Sequence, residues 1–368
     1  MFGSAYRRVP VLVGLLALPL IACSAPAARP VTVSATQPGS PPPAATAAPS
    51  SAAAASGSAG LGRRPAAKTS TATKAAAAAG GDCGVFPADN VWHADVSKLP
   101  VHARSAGFVS SVGAGGAVHA DFGSGEWDGA PIGIPVTVVP PGQPKVPVSF
   151  EYADESDPGP YPIPAGAAVE GGAGSDGDRH VIVWDQAACR SYELFAAQRS
   201  GAGWKAGSGA VFDLRSNALR RAGWTSADAS GLSILAGLVR YDEVATGRID
   251  HAIRFTVPRS RTGYTWPATH SASSATDANL PQMGQRFRLK ASVSTAGLPR
   301  QARIIAEAMK RYGMIVADNG SGWYISGAPD PHWDNDDLHA LGGLRGSDFE
   351  AVDASGLRVS ATSGQVGN

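Results

Sequence analysis

From about residue 130 to residue 300 the chain repeats one pattern: a short run of alternating apolar and polar residues, closed by glycine or proline. PIGIPVTVV, KVPVSFEY, HVIVW, SYELF, HAIRFTV and RFRLKAS are such runs. A period of two sends alternate side chains to opposite faces of a strand, and the glycines and prolines supply the turns. So dense a series of short strands predicts a mainly β fold, a β-sandwich or jelly-roll-like domain, in preference to α/β. A few short helices accompany it, one of them after Pro100 and ending near Gly113. One longer C-terminal helix is expected in PRQARIIAEAMKRYG, with Ile304, Ile305, Ala308, Met309 and Tyr312 on one stripe and Gly313 as its stop. MIVAD and GWYISG then read as a closing hairpin around Asn319-Gly320.

The first 80 residues follow other rules. Arg7 and Arg8 precede VPVLVGLLALPLIA, which matches a signal-peptide core and is short for a membrane span. Leu20-Ile21-Ala22-Cys23 has the form of a bacterial lipobox, so residues 1–23 predict export and lipid on the Cys23 thiol. The alternative is an ordinary secretory signal in which Cys23 is incidental. Residues 24–80 are almost entirely Ala, Pro, Ser, Thr and Gly, with no acidic residue and no aromatic. Such a segment cannot bury enough apolar surface to offset its ordering entropy and is expected to be a disordered tether. Residues 81–368 then form a single β-rich globular domain. Its expected location is extracellular and cell-surface lipid-anchored, meeting the membrane only through the lipid on Cys23.

Charge and cysteine content narrow the partners. Seven of the 31 Lys and Arg lie in residues 1–80, leaving 24 basic against 30 acidic groups, a net charge of −6 for the remainder. An acidic domain argues against nucleic acid. In an exported protein the isolated pair Cys83 and Cys189 predicts a disulfide tying the N-terminal edge to a hairpin.

Alternation sorts the candidate site residues. RFRLKAS puts Phe287 and Leu289 on one face and Arg286, Arg288 and Lys290 on the other; HAIRFTV separates His251, Ile253, Phe255 and Val257 from Arg254. Glu151 points away from Val148 and Phe150. Arg254, Arg286, Arg288 and Glu151 thus share either a solvated sheet face or a charged groove for a polymer. In GDRHVIVWDQAACRSYELF a four-residue loop between Asp185 and Arg190 pairs Ile182 with Glu193. His180 and Glu193 become diagonal neighbours, an acid/base pair or a structural hydrogen bond. His251 reads as a core histidine, while His270, in a polar loop after Trp266, is a candidate for ligand contact.

YADESDPGPYPIP carries Asp154, Glu155 and Asp157 ahead of alternate prolines, which favour a stiff extended loop at the rim of a sheet. Tyr152, Trp184 and Trp266 could stack on sugar rings. In DPHWDNDDLH, Asp330, His332, Asp334 and Asp336 could ligate a metal, but the spacing fits neither an EF-hand loop nor HExxH. The favoured account has Asp334 capping a short helix. No cofactor is implied, with structural calcium kept as the alternative. GxSxG, P-loop and CxxC motifs are absent.

FPADNVW, YADESDPGPYPIP, GDRHVIV, WTSADASGL, GLVRYDE, HAIRFTV and YGMIVADNGSGWYISGAPDPHWDNDDLH resemble a family of uncharacterised secreted bacterial proteins and lipoproteins, from about Phe86 to Val352. The resemblance implies one autonomous domain and brings no reaction with it. From the residues themselves, the expected function is action on a polysaccharide or cell-envelope glycan, as a glycoside hydrolase or polysaccharide lyase. Glu151, His180 and Glu193 are the candidate catalytic residues. Arg254, Arg286, Arg288, Trp184, Trp266, His270, Asp154, Glu155 and Asp157 are the candidate substrate contacts. The alternative is an envelope lipoprotein that binds glycan or protein without turning it over.

Overall fold

The computed structural model describes residues 83–367. Cys23, the signal and lipobox expected at 1–23 and the tether expected at 24–80 lie outside the described residues. The described residues are mainly β, in several sheets with a few short helices. In chain order the first strands are β1 (His119–Asp121), β2 (Glu126–Trp127), β3 (Ala130–Pro131), β4 (Val136–Val138) and β5 (Val148–Phe150). Next come β6 (Val181–Asp185), β7 (Arg190–Phe195), β8 (Gln198–Ser200), β9 (Gly203–Ala206) and β10 (Ser208–Asp213). The last are β11 (Ile253–Val257), β12 (Arg286–Leu289), β13 (Met314–Asn319), β14 (Tyr324–Ser326) and β15 (Phe349–Ala351). The helices are α1 (Ser105–Val112), α2 (Ile234–Gly237), α3 (Tyr241–Thr246), α4 (Arg300–Arg311) and α5 (Asn335–His339).

A six-stranded sheet runs β1-β14-β11-β13-β12-β15 and a four-stranded sheet runs β10-β7-β6-β4. A three-stranded sheet, β5-β9-β8, and the β2-β3 hairpin complete the set. Four pairs are parallel: β1/β14, β11/β13, β4/β6 and β5/β9. An all-antiparallel jelly roll has no such pairs, so the sheets are mixed. The β11-to-β13 connection includes β12 and α4, which provides the length a parallel crossover needs. The hairpin expected around Asn319-Gly320 does not form. β11 lies between β13 and β14 and pairs with both, so the turn carries the chain past one strand.

β6 explains why HVIVW is apolar throughout. Val181 and Val183 enter one core cluster, with Tyr161, Leu194 and Trp204, while Ile182 and Trp184 enter another, with Ala210 and Leu235. The four-stranded sheet is therefore buried on both faces, and its central strand loses the alternation of a half-solvated sheet. Its hairpin register pairs Ile182 with Glu193 and Asp185 with Arg190. The largest cluster lies under the six-stranded sheet, where Trp323 stacks on Phe255 and Phe349 with centroids 5.7 and 5.1 Å apart. α4 packs there through Ala302, Ile305 and Met309, and Ile304 is only half-buried. Among the described residues no helix is long and apolar enough to cross a membrane.

Cys83 and Cys189 form a disulfide with Cα atoms 5.5 Å apart, closing a loop with a sequence separation of 106. A cross-link over so long a loop removes much of the unfolded chain's freedom, worth about 4–5 kcal/mol on the loop-entropy account. Replacing both cysteines by serine should lower the urea midpoint by a corresponding amount. Equal midpoints for the double variant and the unaltered chain would rule out that contribution.

Candidate functional site

β11 brings Arg254 to the face of the six-stranded sheet opposite Phe255, where it is 4% exposed. A guanidinium that deep needs a partner, because an unpaired buried charge costs several kcal/mol. Asp228, 0% exposed, supplies it: Arg254 Nε and Nη2 donate to the two carboxylate oxygens at 3.1 and 3.2 Å. Arg254 Nη1 donates to Ser326 Oγ on β14 at 2.5 Å. Asp228 sits on a tight loop in which its own N–H donates to Ser226 Oγ at 2.9 Å. Gly231 closes this loop at φ +78°, where a Cβ would fall 2.1 Å from Thr269 Oγ1.

That loop offers its carbonyls to two histidines. His180, buried, has Nε2 at 3.1 Å from the Ala227 oxygen and Nδ1 at 2.5 Å from Glu170 Oε2. Both neighbours are acceptors, so both ring nitrogens donate and the imidazole carries a charge. Burial opposes that charge, but the Glu170 carboxylate outweighs it and raises the His180 pKa; His180 in turn holds Glu170 low against the effect of burial. His270 Nδ1 donates to the Ala229 oxygen at 2.8 Å, which leaves Nε2 facing Glu155 Oε2 at 3.7 Å.

The fourth acidic group is Asp318 on β13. Alternation along MIVAD would place it with Met314 and Val316 on the Phe255 side. A bulge intervenes: Phe255 pairs with Val316, and the next residue, Thr256, pairs with Asp318. The extra residue turns Asp318 to the Arg254 face, a common use of a bulge beside a functional site. Burial and then the Asp228 carboxylate push its pKa up to about 7. A cavity of about 350 Å³ opens here, lined among others by Tyr152, Glu155, Asp178, Phe195, His270 and Asp318. None of its lining residues is Lys or Arg.

Some of the expected site residues meet here and others do not. Glu155 and His270 line the cavity together with Tyr152. The short 3-10 turn Ala153–Glu155 places Glu155 on the wall, and its Oε2 accepts the Thr225 N–H at 3.1 Å. Glu151 and Asp154 are exposed and outside it, and Asp157 is taken by Arg220 and the Val211 N–H. Glu193 is fully buried and accepts from Ser191 Oγ, Ser233 Oγ and the N–H groups of Ile234 and Leu235. His180 and Glu193 thus share a strand face without forming an acid/base pair, because each is satisfied by other partners.

The arginine groove is corrected in the same way. Arg286 is buried, donates to the Tyr312 and Val91 carbonyls, and is pushed down to about 9 by burial. Arg288 holds Glu350 and the carbonyls of Val96 and Leu99. Trp184 is buried beneath the Arg240 guanidinium, and Trp266 Nε1 donates to the Ser363 oxygen. His251 is a core histidine held by Glu243. Asp334 caps α5 through the N–H groups of Asp336 and Asp337, and Asp330 holds His332 at 2.7 Å. Among the described residues no group of three or more His, Cys, Asp and Glu is arranged to hold a metal ion.

No family model, curated protein or solved structure matches the chain.

Two outcomes follow from the network. Asp228→Asn leaves the Arg254 charge without its counter-ion and should cost about 3–5 kcal/mol in denaturant unfolding. Replacing both residues, Arg254→Met with Asp228→Leu, should recover most of it. Asp318 binds its proton more tightly folded than unfolded, so it favours folding at low pH. That contribution is lost as pH rises from about 4 towards about 7. Asp318→Asn should therefore melt higher than the unaltered chain at pH 8 and equally at pH 4; parallel melting curves at both pH values would contradict this assignment.

Proposed function

We propose that the protein is a glycoside hydrolase acting on a neutral polysaccharide, with Asp318 as general acid and Glu155 as general base. Asp318 carries the reading. It is a cavity-wall carboxyl that keeps its proton close to neutrality, while Glu155 sits in a different environment on the same wall. Carboxyl groups with separate environments are how a glycosidase divides acid from base work. In the reaction the Asp318 proton passes to the glycosidic oxygen as the bond from that oxygen to the anomeric carbon breaks. Water adds to the anomeric carbon, and Glu155 takes its proton. His270, fixed through Nδ1 to the Ala229 oxygen, holds its Nε2 3.7 Å from the Glu155 carboxylate on the same wall.

The cation-free lining favours hydrolysis over elimination. A polysaccharide lyase needs positive charge to neutralise a uronate carboxylate, and the arginines expected for that task are bound to other groups of the protein. The reading includes export and attachment through a lipid on Cys23, as the N-terminal sequence predicts.

The full chain incubated with a panel of neutral polysaccharides should release new reducing ends. Asp318→Asn and Glu155→Gln should each reduce turnover by roughly 10²–10⁴-fold, the span of acid–base contributions. Activity of the unaltered chain should decline above pH about 7 as Asp318 loses its proton. Products absorbing in the ultraviolet, the mark of elimination, would identify a lyase. Absence of product from the whole panel would leave a binding protein.

A further inference from the structure

A second cavity, of about 470 Å³, lies on the other side of His180 and is lined by His119, Asp121, Trp127, Glu170 and His339 among others. Its prominent feature is the β2-β3 hairpin. Asp128 and Gly129 both have positive φ, +52° and +79°, the conformation a two-residue hairpin turn requires and one that glycine adopts without strain. The turn holds Trp127 out at its base, 80% exposed. An indole left in water forfeits a large apolar burial, so its position over a cavity calls for an apolar face to cover it.

The polar lining suits hydroxyl groups. The Asp121 carboxylate and the imidazoles of His119 and His339 are open to hydrogen bonding, and His119 packs at a tilt of 32° against Tyr324 with centroids 4.2 Å apart. Glu170 is anchored from behind by His180 and presents its remaining acceptor capacity. As in the first cavity, no Lys or Arg lines the wall. An aromatic plane beside fixed acceptors and imidazoles matches a neutral pyranose, which has an apolar C–H face and a rim of hydroxyls. It does not match an anionic ligand. The volume falls within the usual range of small-molecule sites.

The two cavities belong together. Glu170 is on the wall of one and Ala227 on the wall of the other, and one imidazole, that of His180, is hydrogen-bonded to both. We infer that the Trp127 cavity is a second sugar-binding subsite, taking a neutral pyranose of the same glycan chain whose bond is cleaved beside Asp318 and Glu155. This rests on the hydrolase reading for the identity of the chain, and on the cavity itself for sugar binding. A chain that reaches both subsites gains the Trp127 contact that a short one lacks, so Trp127 becomes a determinant of preference for longer chains.

The test separates binding from turnover. The full chain bearing Asp318→Asn is titrated calorimetrically with cellohexaose, laminarihexaose, xylohexaose and hexa-N-acetylchitohexaose, and with a hexagalacturonate. At least one neutral hexasaccharide should bind. Adding Trp127→Ala should weaken that binding by about tenfold or more, as loss of an aromatic anchor does, whereas Trp127→Phe should retain most of it. An unchanged melting temperature shows that the exposed substitution leaves the fold intact. Binding of the hexagalacturonate alone, equal affinity with and without Trp127, or no binding by any of the sugars would overturn the subsite. Failure of the hydrolase reading shows separately, as a neutral hexasaccharide that binds the unaltered chain and is never cleaved.

Discussion

The buried pair of Arg254 and Asp228 organises everything around it. A guanidinium buried on a sheet face is tolerable only with a carboxylate held beside it, and Asp228 meets it with both oxygens. The consequence reaches beyond neutralisation. Pinning Asp228 pins its loop, and the loop's Ala227 and Ala229 carbonyls then orient His180 and His270. Burial first, and the same Asp228 charge second, raise the pKa of Asp318, while the Arg254 guanidinium opposes them.

A second consequence concerns economy of charge. The described residues contain many arginines near the sheets, yet the ones expected to face a substrate are spent on structure. Arg254 holds the loop, Arg286 ties Val91 to the end of α4, and Arg288 holds the segment around Val96 and Leu99. The walls of the Asp318 and Trp127 cavities carry carboxyl and imidazole groups and no Lys or Arg. By plain electrostatics these two walls disfavour a polyanionic ligand, which is consistent with the neutral-sugar substrate proposed above.

The legible part of the fold was its local part. The runs HVIVW, SYELF, HAIRFTV and RFRLKAS correspond to β6, β7, β11 and β12, and the hairpin register of β6 and β7 follows from loop length alone. Part of the candidate site was legible too: Glu155 on its rim loop and His270 after Trp266 were expected substrate contacts, and both line the cavity. Glu193 and the arginines misled because alternation reports which face a side chain takes and is silent on what covers that face, while Glu151 is left exposed outside the cavity. Glu193 lies under the N–H groups of α2, a helix too short to announce itself. Asp318 was invisible for a sharper reason, since the alternation of its own strand assigns it to the wrong side.

By itself the sequence determined the strand-rich class, the pairing of Cys83 with Cys189 and the acidic balance of residues 81–368, all of which depend on residue type and near-neighbour spacing. Only the tertiary structure decided which residues share the candidate site. The bulge between Phe255 and Thr256 turns Asp318 inward, and β11 inserts between β13 and β14. Glu155, from a loop far earlier in the chain, lines one cavity with Asp318 and His270. These are long-range events, in which one strand's position depends on pairing with strands distant in sequence. No local pattern encodes where a buried charge will find its partner.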